Sequence, residues 1–180
     1  KFISIEESLK KKSGKVAIRG WIYRIRKMKD KIFIVMRDSS EILQCVVDKP
    51  NLVKIADGLL IESSLEIEGS LNKDKRAPNG YELKVSKLNV VHASEDFPIG
   101  KDFSPEFLAD QRHLWLRSRK MTAILKIRSS VLEAMREHWK KKGYYEHHSP
   151  SFLGMQAEGG STLFKVDYYG KPLFLTQTWQ

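Results

Sequence analysis

Apolar and polar residues alternate with a period of two along much of the first half of the chain, the repeat of a strand with one face in a core. Val16, Ile18, Gly20 and Ile22 fall on one side of such a strand, and Lys15, Ala17, Arg19 and Trp21 on the other. A second run over 32–37 passes through Asp38-Ser39-Ser40 into a third over 42–47, and the turn residues between them predict a hairpin. After Pro50 the spacing from Leu52 to Leu60 permits a couple of helical turns, closed by Gly58. Leu65, Ile67 and Gly69 then alternate with Ser64, Glu66 and Glu68, and beyond the loop over 74–80 a last strand runs from Tyr81 to about Val91.

Five strands with a short helix between the third and fourth are the order of an OB-fold barrel. So small a barrel fills its interior with side chains, which directs Ile32, Ile34 and Met36 inward together with Leu43, Cys45, Val47, Tyr81, Leu83 and Val85. Phe33, Arg37, Gln44, Glu82 and Lys84 then point outward. An aromatic ring, an amide and a carboxylate on one barrel surface suit single-stranded RNA, which is held by stacking and by hydrogen bonds to splayed base edges. Taken singly, each residue has a plainer reading, as a ring covered by a loop or as polar surface.

The pattern changes past residue 92. Residues 93–100 carry turn formers and charge without a period, which places a domain boundary there. Ile124, Ile127, Val131 and Met135 then recur at helical spacing, widened by Leu125 and Leu132, up to Lys140-Lys141-Lys142-Gly143. This predicts a long amphipathic helix with a basic last turn and a glycine stop. Its apolar stripe is core, interface, or some of each. Beyond it lie a strand-like stretch over 144–150, a loop at Glu158-Gly159-Gly160, an alternating run over 163–168, a turn at 170–172 and a strand from Leu173. The expected organisation is a barrel over 1–98, a linker over 99–120 and a second unit over 121–180.

Hydrophobic residues at 41% and charged residues at 30% are ordinary for a globular chain, and no apolar stretch is long enough for a membrane span. The single Cys45 rules out an internal disulfide framework and a thiolate metal site, and it suits a reducing compartment. The first residues lack the apolar core of a secretion signal, so the expected location is the cytoplasm. Adjacent strand positions face opposite ways, so His147 and His148 do not make a metal site. Lys and Arg number 32 against 22 Asp and Glu, a net charge of +10 that points to a polyanionic partner. Arg24, Arg26, Lys27, Lys29 and Lys31 form the densest cluster, between two strand-like runs; a solvated turn is the plainer reading of it.

The long helix, followed by Lys142-Gly143-Tyr144-Tyr145-Glu146 and a stretch ending at Pro150, resembles motif 1 of the class II aminoacyl-tRNA synthetases. The segment Gln111-Arg112-His113-Leu114-Trp115-Leu116-Arg117, Glu158-Gly159-Gly160 and Phe174-Leu175-Thr176-Gln177-Thr178-Trp179-Gln180 are similar to its aspartyl and asparaginyl subgroup. Thr162-Leu163-Phe164-Lys165-Val166-Asp167-Tyr168 resembles the asparaginyl side more. The resemblance implies an all-β OB-fold barrel followed by the start of an α+β class II catalytic domain, a long motif 1 helix plus antiparallel strands. It implies ATP-dependent activation of asparagine, with magnesium accompanying the ATP, and transfer to tRNA. An aspartyl relative, also one charging both tRNAs, and a non-catalytic OB-fold RNA-binding protein are the alternatives.

On this resemblance Arg26, Phe33, Gln44 and Glu82 contact the anticodon, Glu158 lies near the amino acid's ammonium group, and Gln180 begins the amino-acid-binding strand. An amide that donates and a carboxylate that accepts also suit a uracil edge, with its acceptors flanking one N–H. The motif 1 helix implies a homodimer. The arginines of motifs 2 and 3, which hold the ATP phosphates, fall beyond Gln180, so these 180 residues alone are expected to bind tRNA weakly and to form no adenylate.

Overall fold

The computed structural model describes residues 1–100, 104–154 and 163–177. It divides into two compact units, Lys1–Gln111 and Arg112–Gln180, and the division falls inside the stretch read as a linker.

The first unit opens with helix α1 (Ile5–Lys11) and continues through strands β1 (Gly14–Lys27), β2 (Ile32–Arg37) and β3 (Ile42–Val47). Helix α2 (Pro50–Asp57), strand β4 (Ser64–Lys73), a 3-10 turn (Pro78–Gly80) and strand β5 (Tyr81–His92) follow, and α3 (Pro105–Asp110) lies beyond them. The strands close in the order β1-β2-β3-β5-β4, antiparallel except for the parallel pair β3 and β5. This is the barrel expected, with its short helix between the third and fourth strands.

The core is the barrel interior. Ile18, Ile22, Ile34, Met36, Leu43, Cys45, Ile67 and Leu83 are fully buried, and Tyr81 packs against them half-buried. Burial in this apolar interior raises the Cys45 thiol far above its ordinary pKa, so the side chain is a small neutral core residue. Closure also demands close backbone approach. A Cβ at Gly20 would stand 2.2 Å from the Arg37 carbonyl oxygen, and one at Gly69 would stand 2.3 Å from that of Lys84. Only glycine fits at either place.

The apolar pattern does not announce helix α1. Ser4 caps it and forms a reciprocal capping box with Glu7. Two more first-turn N–H groups are taken by the β2–β3 turn: Ile5 donates to Asp38 and Glu6 to the Ser40 hydroxyl. Ile5 is buried against the barrel, which makes α1 a lid on the core rather than a loose tail.

In the second unit a short helix α4 (Arg112–Trp115) precedes α5 (Arg119–Lys141), which is capped by Ser118. Strands β6 (Phe152–Leu153), β7 (Lys165–Tyr168) and β8 (Lys171–Leu175) form an antiparallel sheet in the order β6-β8-β7. The stretch 144–150 forms no strand, contrary to the sequence reading. It follows Gly143 at φ 83 and has no ladder partner among the described residues, so its backbone stays unpaired by any strand, with Tyr145 almost wholly exposed. Along α5, Ile124, Ile127, Val131 and Met135 are all exposed and only Met121 is buried. No helix among the described residues is long and apolar enough to cross a membrane.

Candidate nucleic-acid interface

The four barrel residues singled out from the sequence lie together on its outer surface. Along β2, buried Ile32, Ile34 and Met36 alternate with half-buried Phe33, Val35 and Arg37. Register then places Phe33 opposite Arg26 on one side and Val46 on the other, with Val46 beside Lys84. The next rung runs Arg24, Val35, Gln44, Glu82 and Asn72. Arg26, Phe33, Gln44 and Glu82 therefore occupy two adjacent rungs of one face.

The direction of Arg26 depends on a β-bulge that simple alternation does not foresee. Ile22 pairs with Met36 but Arg24 pairs with Val35, so Tyr23 is the extra residue. Without it Arg24 and Arg26 would point with Ile22 into the core. With it Ile25 packs toward the interior and both arginines turn outward. The signal was the three-residue step from Ile22 to Ile25 where two was the rule. The basic cluster read as lying between strands is in consequence partly strand, because β1 extends through Lys27.

Cations and rings interleave on this face. The Arg26 guanidinium lies 5.8 Å from the centroid of the Phe33 ring, and those of Arg24 and Arg37 lie 5.3 and 5.9 Å from that of Tyr23. Arg37 is held by Glu62, whose two carboxylate oxygens both accept from Arg37 Nη2, at 2.7 and 2.9 Å, with both side chains largely buried. Lys27 donates to the Asp57 carbonyl at the end of α2, which ties the base of the β1–β2 hairpin to that helix. The Gln44 amide donates to the Glu82 carboxylate at 3.5 Å, the weak limit of a hydrogen bond. Lys84 pairs with Asp48 at 3.1 Å.

In the β4–β5 loop the Arg76 side chain grips Asp74, and this contact holds the Asp74 carboxyl below the usual carboxylate range. A half-buried aromatic ring facing outward, an amide beside a carboxylate, and surrounding guanidinium groups can stack an unpaired base, satisfy its edge and neutralise its phosphate.

Glu158 and Gln180 lie outside the described residues. Among the described residues no three His, Cys, Asp or Glu side chains gather as a metal site.

Comparison with known proteins places both units. Residues 16–91 match the OB-fold nucleic acid binding domain family, and residues 104–180 match the tRNA synthetases class II (D, K and N) family. The chain is 46% identical over 171 residues to the asparagine--tRNA ligase of Thermoplasma acidophilum, covering 93% of this chain and 40% of that protein. It is 45% identical over 169 residues to that of Thermococcus gammatolerans, covering 92% and 39%. The solved asparaginyl-tRNA synthetase from Pyrococcus horikoshii, complexed with asparaginyl-adenylate, superposes with a TM-score of 0.88 at 37% identity, over 99% of this chain and 43% of that one. A putative aspartyl-tRNA synthetase from Leishmania major shares the fold with a TM-score of 0.78 at 23% identity. The chain thus spans about two fifths of the length of the curated relatives it matches.

Proposed function

Because the chain belongs to the class II aminoacyl-tRNA synthetases, in their asparagine branch, we propose that the complete protein activates asparagine with ATP and transfers it to tRNA(Asn), while the barrel reads the anticodon. The observation that carries this reading is the gathering of Arg26, Phe33, Gln44 and Glu82 on two rungs of one outer face. Phe33 offers its ring to an unstacked base. The Gln44 amide donates to a base carbonyl while the Glu82 carboxylate accepts a ring N–H, the pair of roles a uracil edge requires. Their mutual contact at 3.5 Å is weak, so exchanging it for a base gives up little.

In the second unit Glu158 takes the ammonium group of asparagine and Gln180 opens the strand along which the amino acid lies. ATP is the co-substrate and magnesium accompanies it; no described residue is assigned to the metal. The exposed stripe Ile124, Ile127, Val131 and Met135 of α5 packs against a second copy, giving a homodimer. Protein synthesis sets the compartment as the cytoplasm. Pyrophosphate exchange by the complete protein, run with asparagine and with aspartate in parallel, tests the assignment. Exchange with asparagine well above that with aspartate is expected, and exchange driven by aspartate alone overturns it.

A further inference from the structure

The tip of the β1–β2 hairpin carries a methionine in an unusual position. Met28 is 47% exposed, and its backbone N–H is fixed to the Lys31 carbonyl at 3.0 Å. Its sulfur stands 3.8 Å from Nη2 of Arg26, the guanidinium that also lies over the Phe33 ring. Met36 and Met121, by contrast, are buried. A thioether is a weak acceptor, so this contact leaves Arg26 able to move between Phe33 and a ligand.

We infer that Met28 is a site of reversible oxidation that lowers RNA binding at the neighbouring face. Hydrogen peroxide is the class of oxidant that fits. As its O–O bond breaks, one oxygen bonds to the sulfur, which loses two electrons, and the other oxygen leaves as water. The product is a sulfoxide, polar and a far stronger acceptor than the thioether, and reducible by sulfoxide reductases. With the turn held by the Lys31 bond, its oxygen lies within reach of the same Arg26 nitrogen. A charge-assisted hydrogen bond there pins the guanidinium where it stands, over the Phe33 ring, so that it neither clears the ring for a base nor turns to a phosphate. The inference rests on the reading of this face as an RNA site.

The test treats the complete protein with dilute peroxide, maps sulfoxides by peptide mass, and measures binding of a short RNA hairpin with an unpaired uridine-rich loop. Met28 is expected to oxidise before Met36 and Met121, with affinity falling about fivefold and recovering after sulfoxide reductase. The Met28→Leu variant is expected to lose no affinity on the same treatment, which separates Met28 from the exposed Met135 on the second unit. Oxidation of Met28 no faster than of the buried methionines, or an equal loss of affinity in Met28→Leu, overturns the inference alone. Unchanged RNA affinity in unoxidised Arg26→Ala overturns the RNA reading of the face, and this inference with it.

Discussion

The Asp38 carboxylate accepts the backbone N–H of Ile5 at 2.8 Å, tying the first turn of α1 to the β2–β3 hairpin. The other carboxylate oxygen accepts from the Ser40 hydroxyl and from the Ser40 and Glu41 N–H groups. One side chain thus shapes the turn after β2 and also serves as a cap for a helix more than thirty residues away. Burial alone would raise its pKa, but these donors outweigh burial and hold it below the ordinary carboxylate value. Asp38→Ala is expected to cost about 1 to 3 kcal/mol of stability, measured by urea unfolding. The sign with pH follows from the lowered value. The contribution is complete above the unfolded pKa of about 3.9 and fades as pH falls through the lower folded pKa. The gap in stability between wild type and Asp38→Ala should therefore narrow only in strongly acidic solution.

Gly20 and Gly58 offer opposite outcomes for the same substitution. At Gly20 a new Cβ would collide with the Arg37 carbonyl oxygen, a backbone atom that cannot swing aside, so Gly20→Ala is expected to destabilise by about 1 to 3 kcal/mol. Gly58 ends α2 with φ −78 and ψ −6, and a methyl group there would meet nothing within 4 Å. Gly58→Ala is expected to stabilise by about 0.4 to 1 kcal/mol through the unfolded chain. Thermal unfolding of both variants checks the pair, and a drop in Tm for Gly58→Ala would contradict it.

The barrel is legible in the sequence because its interior imposes a strict period of two, which Ile32, Ile34 and Met36 and then Leu43, Cys45 and Val47 obey. The outward direction of Phe33 and Gln44 follows from the same rule. That of Arg26 does not, since it is set by the bulge at Tyr23, and a bulge shows only as a break in the repeat. Helix α1 escapes the pattern although Ser4 and Glu7 carry the capping-box spacing, because seven residues make too short an apolar stripe to read. The stretch 144–150 has the composition of a strand, yet a strand needs a partner for its backbone.

Phe33 is where stacking energy should concentrate. If an unpaired base lies on its ring, Phe33→Ala is expected to weaken tRNA binding by about 1 to 3 kcal/mol. The ring is half-buried and outward, outside the barrel interior, so the variant should keep its fold by circular dichroism. A folded variant with unaltered affinity removes Phe33 from the site.

The edge-reading role proposed for Gln44 and Glu82 bears on the base as well as on the protein. Uracil presents a ring N–H between two carbonyls, whereas cytosine presents an acceptor nitrogen at the same ring position. An acceptor-only carboxylate at Glu82 therefore welcomes the first and is left unpaired against the second. Replacing the central uridine of an anticodon hairpin by cytidine should cost the wild-type protein about 1 to 3 kcal/mol. The two side chains touch one another, so their effects should not add, and a cycle of Gln44→Ala, Glu82→Ala and the double variant isolates the coupling. In the double variant uridine and cytidine hairpins should bind alike. If the preference for uridine survives there undiminished, the base edge is read by other groups.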